Sequence, residues 1–209
     1  MRTKSDMTDR AGELKAAAEA IDPVALEEAK SAIATSCREY LRWADLFSRR
    51  LESLPDEKLH QFARALALTM LGHLPTRPGT CPFCIQYGRD RACAGCGYAA
   101  THGRCDEDDS AFSLFIEAFQ ELGRTIYQDT GKMGFPADEA RHILPSCIQS
   151  SIEAFVQMEQ ALASASTLDL MQLKAQHLRE MVDLIPVQLL SQEVAMRRQK
   201  VKSALRNYW

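Results

Sequence analysis

The cysteines of this chain are concentrated in one short stretch, which constrains the fold more than any other feature. Five of the seven cysteines lie between Cys81 and Cys105, and four of them form two C-x-x-C pairs, Cys81 with Cys84 and Cys93 with Cys96. Two such pairs at short separation can present four thiolates to one metal ion. The sequence therefore predicts a metal centre, and the chain must fold so that these sulfur atoms meet.

The simplest ligand set is the two C-x-x-C pairs, and two further residues can each replace one of the four. His102 and Cys105 follow the second pair closely, so both stay within reach of the same ion. Zinc is the expected metal because four thiolates in a non-catalytic loop are its commonest structural environment. An iron–sulfur cluster held by four cysteines is the alternative, although the spacing differs from both ferredoxin patterns. The candidate ligands are Cys81, Cys84, Cys93, Cys96, His102 and Cys105.

Cys81-Pro82-Phe83-Cys84 resembles the C-P-x-C active site of glutaredoxin-like thiol oxidoreductases. The resemblance covers four residues and implies a reactive first cysteine at the N-terminus of a helix that follows a strand. The preceding residues 74–80 contain two prolines and a glycine, and no strand is predicted there. With a second C-x-x-C pair nearby, this context favours metal binding over thiol redox catalysis.

Apolar residues recur at helical spacing along most of the chain outside the cysteine-rich stretch. Their steps of three, four or seven residues predict amphipathic helices with one face toward a core. No segment alternates polar and apolar residues as a half-buried strand would. We therefore predict an all-α fold, a helical bundle with a small cysteine-rich metal-binding insert between helices. The predicted parts are N-terminal helices over 1–74, the insert over 75–107 and C-terminal helices over 108–209, in one composite domain.

Capping residues and prolines set the predicted helix boundaries. Asp22 followed by Pro23 marks the start of a long helix, which a short helix over 9–21 precedes. Pro145 lies within a predicted helix over 137–163 and predicts a kink or a displaced start there. Further helices are predicted from Leu54-Pro55-Asp56 to Gly72, after Ser110, over 167–185 and over 187–206.

Cys37, Cys147, His73 and His177 lie outside the cysteine-rich stretch and also belong to residue types that bind metals. Cys37 and Cys147 lie beside apolar helical stripes and are interpreted as packing residues. His73, near a helix end, and His177, on the flank of its helix, are interpreted as solvated or capping residues.

Two E-x-x-H motifs, Glu57 with His60 and Glu139 with His142, introduce an enzyme alternative. Such motifs on neighbouring helices occur in di-iron carboxylate bundles. At about 100° per residue, Glu57 points roughly 175° and His60 roughly 115° away from the apolar stripe of their helix. Both motifs also lie in first turns, where glutamate complements the helix dipole, so the di-iron interpretation is the least favoured.

Composition and charge limit the remaining classes. The 209 residues are 46% hydrophobic, which is enough to form a hydrophobic core. The formal net charge of -3 is too small to indicate a class of partner. No run of eighteen apolar residues occurs, and residues 1–10 lack the apolar stretch of a signal peptide, so we expect a cytoplasmic protein without a membrane span. Four arginines lie in or beside the cysteine-rich stretch. They can offset the negative charge of metal-bound thiolates, so they need not form a nucleic-acid-binding patch, and a nucleic-acid partner is not expected. These arginines are Arg77, Arg89, Arg91 and Arg104.

No catalytic set accompanies the cysteines. The sequence has neither a phosphate-cradling glycine loop nor an H-E-x-x-H motif. We therefore expect a non-enzymatic metal-binding helical protein that acts as an interaction or regulatory module, with a protein partner or a second copy of itself. An iron–sulfur protein in electron transfer or redox sensing is the alternative function, and it makes Cys105 essential.

Overall fold

The computed structural model describes residues 4–88, 93, 95–131 and 136–208, with residues 4–10 described by their backbone alone. Within these ranges the chain is helical and contains no β-strand, so the all-α prediction is confirmed. None of the helices in these ranges is both long and apolar enough to cross a lipid bilayer. The helices are α1 (Lys4–Glu19), α2 (Pro23–Glu52), α3 (Leu59–Gly72), α4 (Pro82–Tyr87), α5 (Gly97–His102), α6 (Ala111–Gln128), α7 (Ala137–Leu162), α8 (Thr167–Asp183) and α9 (Gln192–Tyr208).

Local capping explains where several helices begin. Asp22 Oδ1 accepts a hydrogen bond from the backbone N–H of Val24 at 2.7 Å, and Pro23 occupies the first helical position of α2. Proline suits this position because its missing donor is not needed there. At the start of α8, Ser166 Oγ accepts from the backbone N–H of Asp169, whose carboxylate accepts from the backbone N–H of Ser166. These side chains satisfy N–H groups that a helix end leaves without partners.

The main core lies between the long helices and is built from their apolar stripes. α2 packs along α7, and α6 packs along α9. α3 contacts α2, α6, α7 and α8. α8 contacts α1, α3, α7 and α9. Tyr40 stacks on Phe155 with ring centroids 3.9 Å apart, and its hydroxyl donates to Ser151 Oγ at 2.6 Å. The burial of each large apolar side chain contributes about 1.5–3 kcal/mol to the stability of the folded chain. The fully buried aliphatic residues of the main core include Ile33, Leu59, Leu66, Met70, Leu122, Ile126 and Leu144.

Two predicted helix starts change in the structure, and a third, possible displacement is absent. α7 runs continuously from Ala137 to Leu162, so the displaced start expected from Pro145 is wrong. That proline is exposed, and its ring meets solvent rather than a packed neighbour. A 3-10 turn at Val187–Leu189 follows Pro186, so α9 begins later than the predicted residue 187. α1 begins earlier than the predicted residue 9, at Lys4.

Two thiols and one imidazole are buried outside the cysteine-rich segment. Cys37 and Cys147 are buried packing residues, as predicted, and burial raises the pKa of each thiol to about 12. His73 is the C-cap of α3, which confirms its interpretation as a capping residue. His177 is only 3% exposed and packs edge-on against Phe155, with ring centroids 4.7 Å apart. The prediction of a solvated or capping His177 is wrong, because α7 covers this flank of α8.

One ring nitrogen of the buried His177 has no polar partner within the described residues. No hydrogen-bond partner of its Nε2 atom lies in the part of the chain that the structure describes. Burial lowers the pKa of His177 to about 4. The main core therefore holds this histidine in its neutral form at neutral pH.

The cysteine-rich segment 75–107 packs into a second, smaller core. Its members come from α1, the start of α2, the segment itself and α8, so the segment lies against the bundle along much of its length. α4 and α5 belong to this segment, and a 3-10 turn at Pro78–Thr80 precedes α4. The second core consists of Ala18, Ile21, Ala25, Phe83, Cys96, Tyr98 and Met171.

Candidate metal centre

A turn and a short helix present the first C-x-x-C pair. Cys81 directly precedes α4, and its carbonyl accepts a hydrogen bond from the backbone N–H of Ile85 at 3.0 Å. Phe83, between the two cysteines, is fully buried in the second core, which fixes the orientation of the turn. Residues three apart at a helix start lie on the same side of it. Cys81 and Cys84 therefore present their sulfur atoms together.

The second C-x-x-C pair lies on a turn with unusual backbone geometry. Cys93 has a φ of 47° and Gly95 a φ of 81°, both in the left-handed region. The backbone N–H of Cys96 donates to the carbonyl of Cys93 at 3.0 Å and closes the turn. At Gly97, an added Cβ would lie 1.9 Å from the Cβ of Ala17. Only glycine permits this approach, so α5 begins in direct contact with α1.

Three thiols from the two ends of the segment meet at one small cavity. The thiol of Cys84 interacts with those of Cys81 and Cys105. All three side chains line a cavity of about 20 Å³. A cavity of this volume has room for one water-sized species. We call Cys81, Cys84 and Cys105 the thiol cluster.

The second pair lies beside the thiol cluster. Cys96 is buried, and it interacts electrostatically with Cys81 and with Cys93. Cys93 is partly buried at the edge of the second core and interacts electrostatically with Arg104. Of the two, Cys96 is the one that interacts with a member of the thiol cluster, Cys81.

The uncharged thiols of this region hold their protons tightly. The hydrogen bond with Cys84, together with burial, raises the pKa of Cys81 well above its usual range. The hydrogen bond with Cys105 and burial raise the pKa of Cys84 to about 12. Because the thiolate is the nucleophilic form, this environment does not activate Cys81 as C-P-x-C oxidoreductase chemistry requires. Bound divalent metal would replace these protons, since cysteine ligates as the thiolate.

One buried cation faces the thiol cluster. Lys174 of α8 is 1% exposed, and its Nζ donates to the backbone carbonyl of Thr80 at 2.7 Å. It lines the same cavity as the three thiols, and no ion pair with a carboxylate joins it within the described residues. Burial lowers the pKa of Lys174, whereas the three cysteines act in the opposite direction. A buried ammonium is costly unless it is paired, and the hydrogen-bond acceptors of Lys174 Nζ within the described residues are the two oxygen atoms of Thr80.

Lys174 was missed in the sequence analysis, although its position carries a signal. It lies three residues after Met171 and four before Leu178, in the middle of the buried stripe of α8. Lysine is almost never fully buried without a partner. A lysine on such a stripe therefore predicts a polar or anionic group in the fold beside it.

Aromatic side chains close the cavity on another side. Tyr98 and Tyr208 line it, and the Tyr98 hydroxyl donates to the backbone carbonyl of Tyr208 at 2.8 Å. Burial raises the pKa of both phenols, which stay neutral. His102 stacks on Tyr98 with ring centroids 4.4 Å apart, and its Nδ1 lies 2.7 Å from Thr101 Oγ1. These aromatic side chains cover one side of the cavity, while Cys81, Cys84 and Cys105 stay partly exposed.

The arginines expected to balance the thiolate charge have different surroundings. Arg77 lines the cavity of the thiol cluster. Arg104 instead pairs with Asp106, with a nitrogen-to-oxygen distance of 2.8 Å. Arg89 and Arg91 lie outside the described residues.

The predicted ligands come close to one another without forming a finished metal shell. Cys84 interacts with Cys81 and with Cys105, and Cys96 interacts with Cys81. Cys93 lies on the turn before α5, and His102 lies at the end of α5. Across the described ranges, no group of three or more His, Cys, Asp and Glu side chains is already arranged around a metal position. The choice of ligands therefore stays a prediction.

The residues of the di-iron alternative are spread over the surface. Glu57, Glu139 and His142 are exposed. His60 Nε2 lies 3.0 Å from Asp129 Oδ2, in the segment that follows α6. His60 therefore fastens α3 to the end of α6, and the four side chains do not converge inside the described fold.

Comparisons of the chain with protein-family models, curated proteins and solved structures find no match. Function is therefore inferred from the chemistry of the thiol cluster and its surroundings.

Proposed function

We propose that this chain is a metal-binding helical protein in which the thiolates of Cys81, Cys84, Cys96 and Cys105 hold one zinc ion. The observation that carries the proposal is the thiol cluster, in which Cys84 interacts with both other cysteines and all three line one cavity that has room for a water-sized species. Cys96 is the fourth ligand because it is buried and interacts electrostatically with Cys81.

Charge balance supports a metal centre at this position. Four thiolates around one divalent ion leave about two negative charges in excess. Lys174 supplies a buried positive charge at the same cavity. Beside neutral thiols this ammonium is buried at a cost, whereas beside a thiolate centre it is paired.

The size of the cavity favours a single ion over an iron–sulfur cluster. A volume of about 20 Å³ corresponds to one water-sized species. A four-iron cluster with its sulfides is several times larger and requires the segment to open.

The proposed role of the zinc ion is structural. Its ligands lie before α4, within α4, before α5 and after α5, so one ion links both short helices of segment 75–107. A closed shell of four thiolates leaves no open position for a substrate or a reactive water. The segment then keeps one shape against α1 and α8, as an interaction or regulatory module requires.

Elemental analysis and visible absorption of the full-length protein, purified without oxygen, test the identity of the metal. We expect about one zinc per chain and no visible band. Iron with acid-labile sulfide and a broad visible band would overturn zinc in favour of redox sensing or electron transfer. Protein that binds neither metal would overturn metal binding altogether.

A double cysteine variant tests the position of the site. Cys84→Ser with Cys96→Ser should lose the zinc and loosen segment 75–107, while the circular dichroism of the long helices persists because the main core has its own apolar stripes. The matched control, Cys37→Ala with Cys147→Ala, removes two buried thiols elsewhere and should keep the zinc. Full zinc content in the first variant would show that the site is wrongly placed.

A second pair of variants tests which cysteine completes the shell. Cys105→Ser should lose zinc, because this thiol contacts Cys84. Cys93→Ser should retain it. The reverse result would put Cys93 in the ligand set and leave Cys105 outside.

A further inference from the structure

α2 carries a second stripe beside its buried one, in which Phe47 packs against the main core while Trp43 and Leu46 are left uncovered. Trp43, Leu46, Phe47 and Arg50 lie within an arc of roughly 100° on this helix, at about 100° per residue. The arc is centred roughly 110° from the buried stripe that contains Ala44. Trp43 and Leu46 are each 51% exposed. Burial in the main core therefore does not explain why these residues are large and apolar.

α3 and the turn that precedes it complete a groove opposite this stripe. The groove has a volume of about 870 Å³ and is bounded by Trp43, Leu46, Phe47, Leu54, Pro55 and Phe62. Phe47 and Phe62 meet edge to face across the two helices, with ring centroids 5.2 Å apart. This aromatic pair gives the groove a packed floor. We call it the Trp43 groove.

The charged residues that line the Trp43 groove are both cationic. Arg50 and Lys58 line it, and no carboxylate does. Within the described residues neither cation takes part in an ion pair, whereas the neighbouring Arg49 pairs with Asp45. Two cations beside an apolar floor complement a ligand that combines apolar groups with carboxylates.

We propose that the Trp43 groove binds an acidic amphipathic helix of a partner protein. From Trp43 to Arg50 the stripe is about 10 Å long, which matches two turns of a docked helix. Apolar side chains of the partner spaced i, i+3 or i+4, and i+7 contact the aromatic floor, and carboxylates beside them pair with Arg50 and Lys58. Tryptophan and arginine are the residues that most often dominate such interfaces.

A second copy of this chain fits the groove less well. In a two-fold dimer the same patch faces itself, and the lining of this groove offers no carboxylate to pair with Arg50 or Lys58 of the other copy. Like charges across an interface disfavour that pairing. The single sign of the groove therefore favours a different, acidic partner.

Binding is tested with a synthetic 18-residue helical peptide that carries leucine and phenylalanine on one face and glutamate elsewhere. The full-length chain with Trp209→Phe leaves Trp43 as its one tryptophan, since the sequence holds two. We expect saturable binding with a dissociation constant of about 10 μM and a blue shift of the Trp43 emission. The same peptide with lysine in place of glutamate should bind at least about tenfold more weakly.

Matched variants locate the binding. Arg50→Glu with Lys58→Glu should weaken binding of the acidic peptide at least about tenfold. The control, Arg124→Glu with Arg206→Glu, makes the same charge change at exposed positions of α6 and α9 and should bind within about twofold of the parent chain. Trp43→Ala with Leu46→Ala should abolish binding of a fluorescein-labelled peptide while the circular dichroism spectrum is unchanged.

Three outcomes would overturn the proposal. The first is no saturable binding of the acidic peptide, and the second is equal binding of the acidic and the basic peptide. The third is a stable dimer in sedimentation that Trp43→Ala with Leu46→Ala converts to a monomer, since a second copy would then cover the groove.

Discussion

The two cores of this protein are built from different chemistry. The main core joins long helices through aliphatic and aromatic side chains, with few buried polar groups. The second core is smaller, and it adjoins the thiol cluster and the buried Lys174. The first core is held by hydrophobic burial, whereas the polar groups beside the second core would be balanced in charge by the proposed zinc thiolates.

This difference predicts that the two cores respond differently to the same treatment. Removal of metal should loosen segment 75–107 and leave the long helices in place. A cavity in the main core should instead destabilise the whole chain, because the second core packs on α1, α2 and α8, which the main core positions.

The largest expected effect is a cavity in the main core. Leu66→Ala, at a fully buried position of α3, should lower the free energy of unfolding by about 4 kcal/mol. Urea denaturation followed by circular dichroism measures it. Leu46→Ala makes the same change at an exposed position of α2 and should cost less than about 0.5 kcal/mol. If Cys84→Ser with Cys96→Ser cost as much as Leu66→Ala, the long helices would depend on the metal and the two cores would be one unit.

The next effect is a pH dependence that belongs to the main core. The pKa of His177 is about 4 in the folded chain and 6.5 when the imidazole is solvated, so the unfolded state takes up the proton first as the pH falls. Between pH 6.5 and 4 this difference should remove about 3 kcal/mol from the free energy of unfolding.

The contribution of His177 to the pH dependence should be measured on metal-free protein, because protons then no longer compete with metal at the thiols. Urea denaturation at pH 7, 5.5 and 4.5 should show a smaller loss of stability for His177→Leu than for the parent chain. His142→Leu, at an exposed position, should keep the parent slope. Equal slopes for the parent chain and His177→Leu would mean that the histidine is not buried in solution.

A smaller effect should be confined to the metal centre. Lys174→Met keeps an unbranched side chain and removes the buried positive charge, so zinc affinity should fall about tenfold, or about 1.4 kcal/mol. Competition with a chromophoric chelator measures this change. Lys200→Met, at an exposed lysine of α9, should leave the affinity unchanged. Unchanged affinity in Lys174→Met would show that the ammonium does not balance the thiolate charge.

The smallest expected effect tests the contact between the second core and the end of α9. Tyr98→Phe removes the hydrogen bond to the Tyr208 carbonyl and should cost about 1 kcal/mol. Amide hydrogen exchange should quicken in α5, while protection in α3 and α7 stays at the parent level. Equal loss of protection in all three helices would mean that the cores open together.

Local sequence determined most of the helices. The start of α2 follows from Asp22 and Pro23, and the buried face of α3 follows from the spacing of Leu59, Phe62 and Leu66. Capping and helical periodicity act over a few residues, so they can be read without knowledge of the fold. Of the two effects predicted for Pro145, the displaced start is wrong because α7 already begins at Ala137, and the kink stays a prediction.

The candidate site was predicted only as a set of residue types within a window. Cys81, Cys84 and Cys105 were among the candidate ligands, but spacing alone did not select Cys105 as the thiol that contacts Cys84. That selection depends on the burial of Phe83 and on the close approach of Gly97 to α1, which orient the two ends of the segment.

By itself, the sequence determined an all-helical chain with a cysteine-rich segment in its middle. Only the tertiary structure decided that Lys174 faces the thiol cluster, that His177 is covered by α7, and that Trp43 borders an open groove. The physical reason is distance along the chain. Lys174 donates to the carbonyl of Thr80, 94 residues away, and burial and charge at such contacts depend on how whole helices pack.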